Sequence, residues 1–112
     1  MSLKLVRRSN PGTVSVAASG TTSGYFTVDG YSFGGVLMPA ALTSTAMTFT
    51  VCNTIDGTYV GLEDATGAAI SLTVEASKAY ALPPELFAFI YAKLVCGSSE
   101  GVARTFGLSL KS

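Results

Sequence analysis

Polar and apolar residues alternate with a period of two along much of this chain, and this is the pattern of half-buried β-strands. Residues 47–53, MTFTVCN, show it most clearly, because Met, Phe and Val occupy alternate positions. Residues 70–74 and 105–111 alternate in the same way. We expect the apolar set of each segment to face the core. These residues are Met47, Phe49, Val51, Ile70, Leu72, Val74, Phe106, Leu108 and Leu110.

Turn signals separate the alternating segments about every ten residues, a spacing typical of an all-β sandwich or barrel. Gly34, Gly35 and Gly61 lie in less regular segments and predict bulges or close backbone approaches. With a first strand at residues 3–7 or 13–16, the count reaches eight or nine strands. The sequence therefore predicts an all-β fold, a two-sheet antiparallel β-sandwich with jelly-roll or immunoglobulin-like topology.

A hairpin is predicted for residues 43–64, TSTAMTFTVCNTIDGTYVGLED, which alternate, reach Asp56-Gly57 and alternate again. Asp-Gly between two alternating segments is a strong hairpin signal. If the apolar side of the first strand faces the core, its Thr48, Thr50 and Cys52 side forms solvent or contact surface.

Residues 89–96 break the rule of one apolar side and one polar side. One side carries Phe89, Tyr91, Lys93 and Val95, and the other carries Ile90, Ala92, Leu94 and Cys96. A strand with one hydrated side does not show this pattern, so we expect a loop of the same chain, a neighbouring subunit or a partner to cover the outer side. Residues 85–89 also fit a short helical turn across a sheet end.

The length of 112 residues fits one domain. We expect residues 1–12 to form an extended basic N-terminal arm and residues 13–112 the sandwich. Lys4, Arg7 and Arg8 lie in this arm, which either docks on an acidic groove or is a solvated terminus. The segment does not resemble a secretory signal, and the most apolar run, at residues 86–96, is too short to cross a bilayer.

Charged residues make up 12% of the chain, against about 25% in an average soluble domain. Either much of the exterior is Ser, Thr, Gly and Ala, or it is covered by copies of the chain or by a larger partner. The formal net charge is zero, so no long-range field attracts nucleic acid or an anionic membrane. We therefore expect neither of these as a partner.

No enzymatic chemistry is predicted. The chain has no histidine, which excludes Ser-His-Asp and Cys-His catalysis. The alternation puts Cys52 and Cys96 on different sides, so no disulfide is expected, and the chain lacks the paired C-x-x-C or H-x-x-x-H spacings of a zinc site. Glu63 and Asp64 lack the spacing of a calcium loop, and no phosphate-binding glycine loop is present. We expect no cofactor and no metal.

From residue 28 onward the chain resembles a group of small structural proteins of tailed bacteriophages. The resemblance is carried by VDGYSFGGVLMPAALTSTAMTFTV, DGTYVGLEDATGAAISLTV, ALPPELFAFIYAKLV and ARTFGLSLK, in this order. It covers about three quarters of the chain and leaves out the first 27 residues. It implies a head decoration or cement protein, a β-sandwich on the capsid exterior that forms trimers or dimers.

We therefore expect a non-enzymatic virion protein that is assembled in the host cytoplasm and reinforces the capsid. Its partners would be the major capsid protein and other copies of itself, with a homotrimer favoured over a dimer. The residues expected in self-association are Phe89, Tyr91 and Val95, and those expected to contact the capsid are Lys4, Arg7 and Arg8. One alternative is a tail, neck or fibre adaptor of the virion. Another is a carbohydrate-binding β-sandwich module that uses tyrosines such as Tyr25, Tyr31 and Tyr59.

Overall fold

A computed structural model describes residues 9–112, which form nine strands and one short 3₁₀ helix. The strands are β1 Ser9–Val16, β2 Phe26–Thr27, β3 Phe33–Leu37, β4 Ala46–Cys52, β5 Val60–Gly61, β6 Ser71–Thr73, β7 Ala79–Ala81, β8 Tyr91–Cys96 and β9 Arg104–Lys111, and the 3₁₀ helix is Pro84–Ala88. Two antiparallel sheets pack as a sandwich, as the alternation predicted.

Sheet A has the order β1-β9-β3-β7, and sheet B has the order β2-β8-β4-β5, with β6 also pairing with β4. The first four strands alternate between the sheets, and the first half of the chain pairs with the second half: β1 with β9, β2 with β8, β3 with β7, and β4 with β5 and β6. This is one long hairpin rolled into two sheets, the jelly-roll order. An immunoglobulin-like sandwich keeps its first two strands in the same sheet. Of the two predicted topologies, the jelly roll is the one observed.

The core contains the residues that the alternation predicted. Met47, Phe49 and Val51 of β4 are buried in the same core cluster as Phe106, Leu108 and Leu110 of β9. Around β6, Val74 is buried, while Ile70 and Leu72 are half-buried and pack against the core. Period-two burial follows from the pleat, because successive side chains leave a strand on opposite sides.

β1 begins at Ser9, which pairs with Lys111 of β9. Residues 9–12, which the sequence placed in the arm, are therefore part of sheet A. The carbonyl of Ser15 accepts a hydrogen bond from Gly24 on the side away from β9. By alternation, the backbone nitrogen of Pro11 points to that same side, which is the open edge of the sheet. Proline has no N–H to donate, but no hydrogen bond to β9 is lost at this position.

The predicted hairpin is present, since β4 and β5 flank the Asp56-Gly57 turn and pair through Thr50 with Gly61. The predicted close backbone approach occurs at Gly34, where a Cβ would lie 2.8 Å from the carbonyl oxygen of Ser109. At Gly61, by contrast, a Cβ would meet nothing within 4 Å.

The predicted helical turn before β8 is the 3₁₀ helix Pro84–Ala88. Its Leu86 is fully buried and belongs to the core cluster. The helix therefore anchors the segment through which the chain enters β8.

Glu100 joins two loops from inside the protein, with an exposed fraction of 0%. Its Oε1 accepts hydrogen bonds from the Thr43 amide at 2.9 Å and from Nε of Arg104 at 2.8 Å. Its Oε2 accepts from the Ser44 amide at 2.8 Å and from the Ser44 hydroxyl at 2.6 Å. Burial alone would raise the pKa of this carboxyl, but the hydrogen bonds from Ser44, Thr43 and Arg104 lower it to about 2.

Candidate interaction surface

The outward side of sheet B is the candidate functional surface, and we call it the sheet-B face. It combines a cluster of tyrosines, a groove and two opposite charges. Its residues are Tyr25, Thr27, Thr48, Thr50, Cys52, Tyr59, Gly61, Glu63, Ser71, Tyr91, Lys93 and Val95.

β8 crosses this face, and its side chains alternate between half-buried and buried although both of its sides carry apolar residues. Ala92, Leu94 and Cys96 are buried in the core, whereas Tyr91, Lys93 and Val95 on the outer side are half-buried. Two of the predicted self-association residues, Tyr91 and Val95, therefore lie on one surface, with Lys93 between them.

Side chains of the same chain supply part of the cover that β8 was expected to need. The ring of Tyr25 meets that of Tyr91 edge to face, with centroids 5.7 Å apart. The ammonium of Lys93 lies 4.3 Å from the ring centroid of Tyr59, a cation–π contact. Burial raises the pKa of the Tyr59 hydroxyl, and the nearby Cys52 raises it further. The same chain thus covers part of the outer side of β8, and Tyr91, Lys93 and Val95 stay partly exposed to solvent.

Phe89, the third predicted self-association residue, lies outside this surface. It terminates the 3₁₀ helix, and its amide donates to the carbonyl of Leu86 at 3.4 Å. Its ring is half-buried and packs against the core. The alternation of β8 does not extend back to Phe89, because the chain there ends the 3₁₀ helix and becomes a strand only at Tyr91.

The predicted capsid-contact residues Lys4, Arg7 and Arg8 lie outside the described residues.

A groove of about 420 Å³ lies beside β4 on this face. Its floor and walls are Thr48, Phe49, Thr50, Val60, Gly61, Leu62, Glu63, Ala69 and Val95. It exists because threonine, glycine and alanine surround its centre, where larger side chains would fill the space. The hydroxyl of Thr50 is buried there and has no hydrogen-bond partner within residues 9–112. The groove could not be predicted from the sequence, because small residues from separate segments of the chain have to meet to form it.

The two cysteines are free and lie on opposite sides of sheet B, as predicted. Cys52 is part of the sheet-B face, and hydrogen bonds from Thr54 lower the pKa of its thiol. Cys96 faces the core, and burial raises the pKa of its thiol. The face therefore carries one thiol beside its aromatic cluster.

The tyrosines named for carbohydrate binding do not form one platform. Tyr25 and Tyr59 lie on the sheet-B face, whereas Tyr31 packs against the core. Lys93 occupies a face of the Tyr59 ring, and Tyr25 contacts Tyr91. The arrangement leaves Tyr25, which is 47% exposed, as the most accessible of these rings.

The part of the chain that the structure describes contains no group of three residues suited to hold a metal ion. Asp64 closes its own turn, because its Oδ1 accepts from the Thr66 amide at 2.8 Å and from the Ala68 amide at 3.1 Å. Gly67 completes this turn with φ of +84°, a conformation that favours glycine. No helix within residues 9–112 has the length and apolar character needed to span a membrane.

The chain was compared with protein-family models, with curated proteins and with solved structures, and none of the three comparisons found a match.

Proposed function

We propose that this chain is a non-enzymatic virion structural protein that decorates and reinforces the head of a tailed bacteriophage. The observation that carries the proposal is the sheet-B face: a half-buried surface that carries Tyr91 and Val95, on a domain with only 12% charged residues. Such a surface suits burial in a repeated assembly better than permanent contact with water. The resemblance of the ordered motifs to those of small phage structural proteins supports the same function.

Mechanistically, each copy buries its sheet-B face against another protein subunit and lays its N-terminal basic residues on acidic patches of the shell. Several contacts of modest affinity then act together, because each attached contact raises the effective concentration of the next. Binding that favours the closed shell raises the free energy needed to open it. No bond is made or broken in this function, which agrees with a chain that has no histidine.

Co-sedimentation with empty heads tests the proposal. Full-length protein should sediment with the heads, and deletion of residues 2–8 should reduce its occupancy most strongly at low salt, where the charges of the arm are least screened. A matched control replaces the exposed Lys78 and Lys111 by Gln, which removes charge but leaves the arm intact, and occupancy should not change. If the deletion variant binds as well as the full chain, the arm has no role, and if neither binds, the decoration function is wrong.

A tail, neck or fibre adaptor remains the second candidate within the virion. Copy number distinguishes the two, because hundreds of copies per particle indicate the capsid, whereas about a dozen or fewer indicate the neck or tail.

Carbohydrate binding is a candidate of a different class, and the exposed Tyr25 is the observation that favours it. Glycan-array binding by the purified protein that is lost in Tyr25→Ala would support this function over the structural one.

A further inference from the structure

We propose that two copies of this chain pair through their sheet-B faces about a two-fold axis parallel to β4, with Lys93 of each copy opposite Glu63 of the other. The inference rests on the proposed function and deepens it, because it identifies a second copy of this chain as the partner of the face. It also assigns a role to Lys93 and Glu63, which the sequence did not single out for contact.

The two charges flank β4 on opposite sides. Thr50 at the centre of the face pairs with Lys93 of β8 on one side and with Gly61 of β5 on the other. Glu63 is two residues beyond Gly61, so it returns to the same side of the sheet, and it lines the groove. Among the residues of the sheet-B face, these two are the charged ones.

Neither charge has an oppositely charged partner among residues 9–112. The only ion pair in residues 9–112 joins Arg104 to Glu100, on another part of the protein. Lys93 contacts the ring of Tyr59, and Glu63 is exposed at the groove. An ammonium and a carboxylate on one surface, both still available for an ion pair, are what a self-complementary contact requires.

The direction of the axis follows from these positions. When two such faces meet about an axis parallel to β4, the sides exchange, and β8 of one copy lies over β5 of the other. Lys93 then approaches Glu63 twice, since a two-fold contact repeats every pair. An axis across the strands would instead place β8 over β8 and bring the Lys93 ammonium groups together, which is repulsive.

The groove provides room for this packing. The lysine stem of one copy would lie over Gly61 in the other, where a Cβ would meet nothing within 4 Å, and its ammonium would reach Glu63 two residues further along the chain. Lysine buries its methylene groups readily while its ammonium reaches a charge partner. The zero net charge of the chain adds no overall repulsion between copies.

A charge-swap experiment with the full chain tests the pairing, with sedimentation equilibrium as the measurement. The wild-type protein should be a dimer. Lys93→Glu and Glu63→Lys should each weaken dimerisation by about tenfold or more, because each places like charges opposite each other at two points. The double variant Lys93→Glu/Glu63→Lys should recover most of the lost affinity, since both pairs are re-formed with reversed sign.

Two controls separate the pairing from a general loss of structure. Lys78→Glu and Lys111→Glu reverse exposed charges away from sheet B and should leave dimerisation unchanged. Glu63→Lys leaves the contact between Lys93 and Tyr59 in place, so its effect cannot come from that contact. Thermal unfolding of every variant verifies the fold.

Several results would overturn the two-fold pairing: a monomeric or trimeric wild-type protein, single reversals without effect, or a double variant that does not recover. Head co-sedimentation separates this failure from failure of the proposed function. Protein that binds heads but shows no charge-swap rescue refutes the pairing alone. A rescued dimer that ignores heads refutes the decoration function alone. Loss of head or glycan binding in Glu63→Lys without a change in mass would assign the face to that other partner.

Discussion

The Glu100 network and the sheet-B face treat polar groups in opposite ways. Glu100 is fully buried, and its two oxygens accept four hydrogen bonds, one of them from the guanidinium of Arg104. On the sheet-B face, the Thr50 hydroxyl has no partner within residues 9–112, and Lys93 and Glu63 have no ion pair there. A buried carboxylate is tolerated only when its partners come from the same fold. Polar groups at a surface can instead be paired by another molecule. A structural polar site is therefore satisfied within its own fold, whereas a contact site keeps unpaired polar groups.

Removal of the Glu100 side chain should give the largest effect. Glu100→Ala leaves the Arg104 guanidinium and the amides of Thr43 and Ser44 without their acceptor, and breaking a buried pair on one side costs about 3–5 kcal/mol. We expect a loss of this size in the free energy of unfolding, measured by chemical denaturation. The exposed Glu85→Ala is the matched control and should change stability little. A loss below about 1 kcal/mol would show that Glu100 resembles a surface carboxylate.

The pH dependence of stability sharpens the same contrast. The pKa of Glu100 is about 2 in the folded protein, below its ordinary value of 4.5. Because the folded state holds the carboxyl in its charged form, this contribution is fully present above about pH 4.5 and is lost as pH falls towards 2. The stability difference between wild type and Glu100→Gln should therefore shrink across this interval. A difference that stays constant from neutral pH to pH 2 would contradict the lowered pKa.

Filling the groove should produce the smallest change in stability and the clearest change in association. Gly61→Leu projects a side chain into open space, so the unfolding free energy should change by less than about 1 kcal/mol. Self-association should weaken, because the new side chain occupies the space of the partner subunit. Gly101→Leu is a matched control, since a Cβ at Gly101 also meets nothing within 4 Å and lies in a loop away from this face. Unchanged sedimentation of Gly61→Leu would place the contact elsewhere.

The fold was largely predictable from the sequence, for a physical reason. β4 and β9 each bury one side only. The core positions of Met47 and Phe106 can therefore be identified from the alternation of apolar and polar residues in the sequence. The sandwich follows from such strands and their regular turns. The choice between jelly roll and immunoglobulin-like order depends on which distant strands pair, and alternation carries no information on this.

The candidate surface was predictable only in part. Apolar residues on both sides of β8 identified Tyr91 and Val95 as unusual, but the same pattern suggested Phe89, which the 3₁₀ helix diverts to the core. The Glu100 network was missed because Ser44 is 56 positions away in the chain. Its only local signal was the spacing of four residues to Arg104.

The pairing of β1 with β9 decides when this domain can fold. β9 occupies an interior position of sheet A, between β1 and β3, yet it is the last strand of the domain to leave the ribosome. Until it emerges, β1 and β3 have no common neighbour, and the residues they bury stay accessible to chaperones and to other nascent chains. Sheet A therefore closes only after synthesis of the domain, and its long-range pairing makes that closure slow.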